Sequence, residues 1–344
     1  MSSTRALVLE AFGRIVPTRF EVPPPGDGEV VVRVVATGIC GSDLHGYTGE
    51  NGRRVPGQIM GHETAGIVEA VGDGVESVSV GDRVTVNPVM LTPESRRAYA
   101  GREQRCPDRK VLGVAPDVPA AFADRVLVPA ENVVPLDPAL PVEYGALIEP
   151  LAVAVHAVAR AGAVEGLPIL VLGGGPIGQS VVLAGLAAGA RLVIVSEPDP
   201  ARRALCERLG AIAIDPADGT ISELVHQHAG GPVDVVIDAV GVTATLRDAF
   251  AASSSGATIC LVGMGSPEIA LAAYQVSTEE RTLVGSFCYS DAHFVRAAAL
   301  AAERRDVLDL MVSEQVRPEE ADDAFRRLTA PGAVAAKILV RFDR

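Results

Sequence analysis

The sequence predicts an α/β protein in which a β-rich N-terminal part is followed by a doubly wound parallel sheet. Runs of β-branched residues bounded by turn residues occupy the first ~150 residues. Strands and helices alternate after Pro141, and a glycine triplet lies between one of those strands and the next helix. A chain of 344 residues is long enough for two domains, each with its own core.

The N-terminal part is predicted to contain strands at 28–36, 64–71 and 81–86, with little helix before Pro141. The first of these segments reads G-E-V-V-V-R-V-V-A and follows the turn P-P-P-G-D-G, which is typical of a strand after a loop. A turn that begins G-D-G-V-E-S separates the other two segments. These short β-branched runs make this half of the chain the β-rich one.

Beyond Pro141 the pattern changes to alternating helices and strands. Helices are predicted at 151–160, 179–189 and 200–209, and strands at 167–172, 192–195, 234–239 and 258–262. The last of these strands follows a predicted turn, S-S-S-G-A. The tail is predicted to be helical from Asp291 and to end in a strand at 337–342. Such alternation indicates βαβ units and a parallel sheet.

Composition and charge exclude several classes of function. Hydrophobic residues make up 48% and charged residues 21% of the chain, which is typical of a globular protein. The net charge of −13 argues against a nucleic-acid partner or an anionic membrane surface. The sequence has no signal-peptide pattern and no uninterrupted apolar run of about 18 residues. Its five scattered cysteines do not indicate a disulfide framework, so we expect a cytoplasmic protein.

The glycine triplet predicts a dinucleotide site. Gly173, Gly175 and Gly178 form G-x-G-x-x-G between a predicted strand and a predicted helix, with Pro176 and Ile177 inside the motif. Glycines at these positions allow a tight turn and a close approach of the backbone to a pyrophosphate. The phosphates then lie at the helix N-terminus, where unpaired N–H groups point outward. A purely structural turn is the alternative.

Glu197 follows the next predicted strand, about 20 residues beyond the glycines. An acid at this place can accept hydrogen bonds from the adenosine ribose and repel a 2′-phosphate, which favours NAD over NADP. Arg202 and Arg203 lie close to it in sequence. Arg202 is therefore included among the candidate cofactor-binding residues, and some use of NADP stays open.

Four residues in three segments are candidate metal ligands. Cys40 lies in G-I-C-G-S-D-L-H, His62 and Glu63 lie in G-H-E, and Glu149 lies in I-E-P-L-A-V-A-V-H. A thiolate, an imidazole and carboxylates are ligand types that Zn²⁺ accepts. Each also has a structural alternative: a buried core cysteine, a surface pair, or an acid at a helix N-terminus.

Together these motifs resemble those of the zinc-dependent medium-chain dehydrogenase/reductase family. The resemblance is to its polyol branch, which contains sorbitol, butanediol and threonine dehydrogenase-like members, and it covers essentially the whole chain. The segments that carry it are G-I-C-G-S-D-L-H at 38–45, G-H-E-T-A-G-I-V-E-A-V-G-D-G-V at 61–75, G-D-R-V at 81–84, E-P-L-A-V-A-V-H-A at 149–157, G-G-G-P-I-G at 173–178 and S-E-P-D-P-A-R-R at 196–203.

The resemblance implies a GroES-like β-rich catalytic domain formed by residues 1–150 and 286–344, and a Rossmann domain formed by residues 151–285. It implies that Cys40 and His62 ligate a catalytic zinc ion. Glu63 or Glu149, or each in turn, would supply a carboxylate. Asp43 would accept a hydrogen bond from the second ring nitrogen of His62.

The resemblance also implies a reaction. A secondary alcohol, such as a polyol, diol, sugar or cyclitol, would bind zinc through its oxygen and transfer hydride to NAD. Ser42 would take the alcohol proton and pass it through the cofactor ribose toward His45, and Tyr47 would line the substrate pocket. Members of the family pair their Rossmann sheets edge to edge, so a homodimer or a homotetramer is expected.

Segment 92–106 keeps the spacing of a second zinc site. In the family this lobe has the pattern C-x2-C-x2-C-x7-C; here Thr92, Ser95 and Ala98 stand at the first three positions and Cys106 at the fourth. One thiolate cannot hold a structural zinc ion. We therefore predict one zinc ion per subunit, the catalytic one. The lobe would then be held by packing or by polar contacts of Arg96, Arg97, Arg102 and Glu103, or it would be mobile.

Two other functions are compatible with the resemblance. One is an NADPH-dependent carbonyl or enone reductase; the zinc-free relatives that do this lack the set formed by Cys40, His62 and Glu149. The other is a non-catalytic relative that binds the cofactor. Zinc content and cofactor-dependent turnover distinguish these possibilities.

Overall fold

The computed structural model describes residues 2–50, 52–330 and 334–344. The chain folds into two compact units. One consists of Met1–Glu149 together with Ser290–Arg344, and the other consists of Pro150–Tyr289. The second unit is thus an insertion in the sequence of the first.

The elements are numbered in chain order. The N-terminal segment contains strands β1 (Ser2–Ala11), β2 (Arg14–Val22), β3 (Glu29–Gly38), β4 (Glu63–Val71), β5 (Arg83–Val86), β6 (Val89–Met90), β7 (Lys110–Val111), β8 (Arg125–Pro129) and β9 (Val133–Pro135), and helices α1 (Gly41–Thr48) and α2 (Pro93–Ala98). The central segment contains strands β10 (Pro168–Leu172), β11 (Leu192–Ser196), β12 (Ile212–Ile214), β13 (Val233–Asp238), β14 (Ser253–Leu261) and β15 (Thr282–Gly285). Its helices are α3 (Ile148–Ala161), α4 (Pro176–Ala187), α5 (Pro200–Arg208), α6 (Ile221–Ala229), α7 (Thr243–Ala252) and α8 (Ala273–Thr278). The C-terminal segment contains α9 (Asp291–Glu303), α10 (Ala321–Leu328), β16 (Val312–Val316) and β17 (Lys337–Arg341).

The first unit is built on a sheet in the order β16-β17-β3-β4-β5-β9, with β8 also paired to β3. Strands β1 and β2 form a separate antiparallel pair. Apolar side chains from both ends of the sequence share one core, among them Leu7, Val32, Phe122, Phe325 and Val340. The rings of Phe122 and Phe325 meet edge to face with their centroids 5.5 Å apart, a contact that contributes about 1 kcal/mol beyond burial.

Strand register brings the ends of three strands together. Gly38 of β3 lies opposite Glu63 of β4 on one side and opposite Leu339 of β17 on the other. Cys40 follows β3 directly, His62 precedes β4, and Lys337 begins β17. Residues far apart in sequence therefore lie close together at one end of these three neighbouring strands.

The second unit contains a six-stranded parallel sheet in the order β12-β11-β10-β13-β14-β15. Numbered within the unit, this order is 3-2-1-4-5-6, that of a dinucleotide-binding doubly wound sheet. The central strands are almost entirely buried because helices cover both faces of such a sheet. The predicted fold class, a β-rich domain plus a doubly wound parallel sheet, is confirmed.

One short helix was not predicted, and one local prediction was wrong. Helix α1 lies well before Pro141, although G-S-D-L-H-G-Y-T has little apolar periodicity. It forms because Asp43 accepts the N–H of Cys40 at the helix start and Tyr47 packs in the core. The segment S-S-S-G-A is not a turn but the first part of β14, since an irregularity in its pairing with β13 accommodates Gly256 at φ 78°.

By length and composition alone, the helical stretch Val142–Ala161 could cross a membrane. In this fold, however, 67% of its apolar window is buried inside the protein, as in the core helix of a globular domain. It begins with a 3₁₀ turn, Val142–Leu147, and continues as α3. Its hydrophobicity is therefore explained by packing.

Candidate active site

Cys40 lies at the N-terminal end of α1. The strand β3 ends two residues earlier, and the helix starts with the next residue, Gly41. Asp43, in the first turn, reaches back so that its Oδ2 accepts the backbone N–H of Cys40 at 3.1 Å. Because this hydrogen bond closes the first turn, it fixes the backbone from which the Cys40 thiol projects. The Cys40 side chain is half-buried, unlike a cysteine that only fills a core.

His62 and Glu63 reach the same place from β4, and both side chains are buried. Gly38 makes room for Glu63, since a Cβ atom at Gly38 would lie 2.3 Å from Glu63 Oε2. The glycine that opens G-I-C-G-S-D-L-H therefore leaves free the space that this carboxylate occupies.

Cys40, His62 and Glu63 each offer one ligand atom, and these atoms lie within 4.8 Å of one another. A thiolate, an imidazole and a carboxylate at this spacing are a donor set that Zn²⁺ accepts. Among the described residues, Glu63 Oε2 and His62 Nδ1 are buried without a hydrogen-bond partner. Buried polar atoms are normally satisfied, so the orphaned carboxylate oxygen indicates a site built for a further group.

Charged side chains surround this cluster. Asp43 Oδ1 lies 3.5 Å from His62 Nδ1 and 3.7 Å from Arg54 Nη2, and all three side chains are nearly inaccessible. Burial pushes the pKa of Asp43 upward, but the charges of His62 and Arg54 outweigh it and lower that pKa below its ordinary value. Burial also lowers the pKa of His62, whereas Asp43 and Cys40 raise it well above its ordinary value. Asp43 is therefore placed to orient the ring of His62 through Nδ1.

Lys337 forms a buried ion pair with Glu63 Oε1. Its Nζ also donates a hydrogen bond to the carbonyl of Ile39 at 3.3 Å. Burial lowers the pKa of Lys337, but the negative charges of Glu63, Cys40 and Glu149 raise it far above its ordinary value. The C-terminal strand thus places a permanent positive charge beside the ligand cluster.

Glu149 lies outside this three-residue group in the described part of the chain. It is the second residue of α3 and is 7% exposed. Its charge is close enough to Lys337 to raise the pKa of that residue. The structure therefore brings three of the four predicted ligands together and places the fourth nearby.

The predicted proton-relay residues both lie on α1. Ser42 is half-buried, and its Oγ is 3.5 Å from His62 Nε2. His45 is exposed and lies three residues further along, on the same side of the helix. Tyr47, by contrast, is in the core, where its hydroxyl donates to the Gly13 carbonyl at 2.6 Å. Its ring packs against Phe325. The expectation that Tyr47 lines a pocket is therefore not met.

The glycine loop joins β10 to α4. Gly173 has φ 95°, a conformation that other residues avoid. Gly178 passes so close to Gly173 that a Cβ atom there would lie 1.8 Å from the Gly173 carbonyl oxygen. Gly175 precedes the helix, and Pro176 occupies its first position. Pro176 and Ile177 are half-buried. The first turn of a helix has N–H groups without intrahelical partners, which makes this end of α4 a place where a phosphate can bind.

Glu197 lies directly after β11 and is 4% exposed. Its Oε2 accepts the N–H of Gly174 at 2.7 Å and its Oε1 accepts the N–H of Asp199 at 2.9 Å. The carboxylate is therefore fixed against the glycine loop. Arg202, in the first turn of α5, has its Nη1 3.9 Å from where a Cβ atom of Gly175 would be.

Segment 92–106 has a different construction. Thr92 begins α2 as its N-cap, and its hydroxyl accepts the N–H of Ser95 at 3.2 Å. Cys106 is fully buried. Two residues that stand where the family has cysteines thus make an ordinary helix-capping contact, and the single thiol is a core residue.

Polar contacts connect this lobe to the rest of its unit. Arg96 pairs with Asp291 at the start of α9, donates to Asn132 Oδ1 at 2.9 Å, and lies 3.0 Å from Glu131. Glu103 accepts the N–H of Gly101 at 2.7 Å and the N–H of Asp291 at 3.2 Å. Of the predicted contacts, those of Arg96 and Glu103 are therefore present. Arg102, also one of the residues predicted to hold the lobe, lies over the ring of Tyr99 at 5.6 Å.

The chain is similar to known proteins both in sequence and in structure. The alcohol dehydrogenase GroES-like domain matches residues 26–138, and the zinc-binding dehydrogenase family matches residues 176–303. L-threonine 3-dehydrogenase of Pyrococcus abyssi is 38% identical over 249 residues, which are 71% of each chain. Sorbitol dehydrogenase of Bacillus subtilis is 34% identical over 351 residues, covering 100% of this chain and 96% of that protein. The chain belongs to the zinc-dependent medium-chain dehydrogenase family.

Solved structures agree with this assignment. A Sinorhizobium meliloti protein bound to NADP has a TM-score of 0.87 at 32% identity, covering 99% of this chain and 100% of that chain. An alcohol dehydrogenase of Escherichia coli complexed with NADH has a TM-score of 0.89 at 27% identity and the same coverage. The predicted family and its polyol branch are confirmed. This medium-chain dehydrogenase is an oxidoreductase of the alcohol dehydrogenase type, with a nicotinamide cofactor and a small-molecule substrate.

Sequence reasoning missed two buried cations of this dehydrogenase, Arg54 and Lys337. A signal existed for Lys337, because it is the only charged residue of the apolar run K-I-L-V. A charged residue that begins a buried strand needs a partner. Arg54 carried no such signal, since it lies in the polar stretch G-R-R-V-P.

Proposed function

We propose that this protein is a zinc-dependent dehydrogenase that transfers hydride between a secondary alcohol and NAD. The observation that carries the proposal is the buried convergence of Cys40, His62 and Glu63, with ligand atoms within 4.8 Å of one another. The relatives named as threonine and sorbitol dehydrogenases support a polyol, diol, sugar or cyclitol-like substrate. Their substrates have a secondary hydroxyl group in common.

Cys40 and His62 would hold one zinc ion per subunit, with Glu63 or Glu149 supplying a carboxylate. Bound zinc would act as a Lewis acid toward the substrate oxygen. Glu63 has one oxygen paired to Lys337 and the other unpartnered. In this arrangement Oε2 would be available to hold the metal ion, while Lys337 restrains Oε1.

Ser42 and His45 would move the alcohol proton. A serine hydroxyl both accepts and donates a hydrogen bond, so Ser42 can take a proton and release it without changing its charge. Ser42 is half-buried beside His62, whereas His45 is exposed on the same helix. The pair therefore leads from the interior to water. The cofactor ribose hydroxyls would complete the relay between them.

Glu197 supports NAD as the preferred cofactor. Two backbone N–H groups fix its carboxylate beside the glycine loop, so a 2′-phosphate approaching it would meet a buried negative charge. Glu197→Ser is expected to raise the ratio of kcat/KM for NADP to that for NAD by about tenfold or more, equivalent to about 1.4 kcal/mol. Glu207→Ser, an exposed acid of α5, is the control. An unchanged ratio in both variants would contradict the assignment.

The reaction itself is tested with a substrate panel and metal analysis. Vicinal diols, sugar alcohols, aminocyclitols and hydroxy-amino acids are offered with NAD to protein expressed in zinc-replete medium. The expected result is NAD reduction with one class and about one equivalent of zinc. Less than roughly half an equivalent would count against the proposal, because thiolate–imidazole sites hold zinc tightly. Reduction of enones with NADPH by zinc-free protein would support the reductase alternative.

A homo-oligomer is also proposed. Strand β15 is the last strand of the parallel sheet, and three of its four residues are exposed. Nearby large apolar side chains are exposed, including Tyr274 at 88% and Leu283 at 38%. Edge strands with exposed apolar neighbours are sites where a second chain pairs. A monomeric mass in light scattering would refute this part of the proposal.

A further inference from the structure

Arg54 is a buried cation in the connection between α1 and β4. Its side chain is 1% exposed, and its Nη2 lies 3.7 Å from Asp43 Oδ1. Among the described residues, its Nε and Nη2 atoms have no hydrogen-bond acceptor. Removing a guanidinium from water is costly unless an opposite charge compensates it. Asp43 is therefore the group that makes the burial of Arg54 possible.

Asp43 in turn contacts the site on three sides. Its Oδ2 accepts the N–H of Cys40 at 3.1 Å, and its Oδ1 faces both His62 Nδ1 and Arg54 Nη2. The carboxylate is fully buried. One acid thus connects the backbone of one candidate ligand, the ring of a second, and a permanent positive charge.

Gly46 provides the space that the Arg54 side chain occupies. A Cβ atom at Gly46 would lie 2.3 Å from Arg54 Cγ and 3.1 Å from Arg54 Cβ. Glycine inside a helix costs about 0.5–1 kcal/mol relative to alanine. The contact with Arg54 gives a physical reason for this residue in α1.

Charge balance explains why Asp43 needs a cation of its own. Metals bind the neutral form of histidine, so a ligating His62 offers Asp43 no positive charge. A buried carboxylate with no counter-charge would turn away toward water or toward any available donor. Arg54 lies against the same Asp43 oxygen that faces His62 Nδ1, so it holds that carboxylate directed at Nδ1 and leaves Nε2 of His62 for a metal ion.

We propose that Arg54 is a positioning residue of the metal site, acting through Asp43 to fix the orientation of His62. The proposal rests on the zinc site proposed above. In this proposal a third residue, Arg54, supports the metal site in addition to the Asp43–His62 pair. Gly46 leaves the space that the Arg54 side chain occupies.

The first test measures zinc affinity of the full-length, metal-free protein by competition with a chelator. Arg54→Met is expected to lower the affinity about 10–100-fold, the usual effect of losing a residue that supports a metal ligand. Arg54→Lys keeps the charge and should recover part of the loss. Gly46→Ala keeps the arginine but displaces its stem, and should also lower the affinity. Arg53→Met, which changes the exposed neighbour, is the matched control.

A double-mutant cycle separates positioning from a general loss of stability. If Arg54 acts through Asp43, Arg54→Met should cost less than about twofold in zinc affinity when it is added to the Asp43→Asn variant. Equal losses in the wild-type and Asp43→Asn backgrounds would overturn the proposal. The absorption bands of the Co²⁺-substituted protein should change in Arg54→Met and in Gly46→Ala but not in Arg53→Met.

The zinc affinities of these variants distinguish an error in the role of Arg54 from an error in the zinc site itself. Equal zinc affinity in the wild type and in Cys40→Ala would contradict the zinc site. Loss of affinity in Cys40→Ala, with wild-type affinity in Arg54→Met and Gly46→Ala, would overturn the role of Arg54 alone. If Arg54→Met does not fold, Arg54→Lys and Gly46→Ala carry the same test.

Discussion

Two regions of the first unit match the patterns of metal sites, but only one has a full set of ligand-type side chains. Around Cys40, His62 and Glu63, the ligand-type atoms converge within 4.8 Å, and Glu63 Oε2 is buried without a hydrogen-bond partner. In segment 92–106, the hydroxyl of Thr92 caps a helix, while Arg96 and Glu103 bind Asp291. The first region leaves the ligand-type atom Glu63 Oε2 unsatisfied and surrounds it with charge, whereas the second region is tied by polar contacts to neighbouring elements of its unit.

The difference shows two ways of holding a loop-rich region together. A metal ion supplies several strong bonds to groups that are otherwise costly to bury. Without the ligands, hydrogen bonds and ion pairs to neighbouring elements can do the same, provided that each buried group finds a partner. Arg96 does this for the lobe by contacting residues outside it, Glu131, Asn132 and Asp291.

The largest expected effect separates the cysteines of the two regions. Cys40→Ala should lower kcat on the order of a thousandfold or more, since Lewis-acid catalysis supplies several kcal/mol. It should leave NAD binding intact. Cys106→Ala should leave kcat within about threefold of wild type and lower only stability, by about 1–2 kcal/mol, as for a small buried side chain. Steady-state kinetics and NAD titration are measured for both variants. Comparable losses of kcat in Cys40→Ala and Cys106→Ala would contradict the proposal that only the Cys40 region takes part in catalysis.

A second expected effect concerns Lys337. Lys337→Met should lower the unfolding free energy of the metal-free protein by about 3–5 kcal/mol, because it leaves the Glu63 carboxylate buried without its partner. Lys110→Met removes an ion pair between two exposed side chains, Lys110 and Asp117, and should leave stability near wild type. Urea denaturation measures both variants. A wild-type midpoint for Lys337→Met would mean that Glu63 finds another partner.

A third prediction addresses the lobe. Arg96→Met should lower the unfolding free energy by about 2 kcal/mol, since it leaves Asp291 and Asn132 without their charged donor. It should also increase proteolysis within 92–106, while zinc affinity at the Cys40 cluster stays unchanged. Arg97→Met, at an exposed neighbour, is the control. Loss of zinc in Arg96→Met would show that the two regions are coupled.

The smallest expected effect is in thiol reactivity at pH 8. Burial raises the pKa of Cys206 to about 12, so its folded form stays a protonated, unreactive thiol until the pH approaches that value. Cys106 is fully buried, whereas Cys40 is half-buried. Iodoacetamide should therefore label Cys40 in metal-free protein, more slowly with zinc, and label Cys106 and Cys206 only after unfolding. Peptide mass spectrometry measures the rates; rapid labelling of native Cys106 would contradict a packed lobe.

Prediction from the sequence succeeded for elements whose structure depends mainly on residues that are neighbours in the chain. Strands β10 and β11 were found from apolar runs, and the glycine loop from its spacing, because both depend on neighbours in the chain. It failed for α1, whose stability comes from the Asp43 contact and from burial of Tyr47. It also failed for the start of β14, where pairing with β13 outweighs a turn-like composition.

By itself, the sequence determined the two-part fold class, the dinucleotide loop and the residue types of the candidate metal site. These follow from hydrophobic periodicity and from short motifs. Only the tertiary structure decided which charges surround the site, because the partners are distant in the chain: Lys337 and Glu63 are 274 positions apart. A buried charge is stable only beside its counter-charge, and no local pattern specifies a partner that folding brings from another strand.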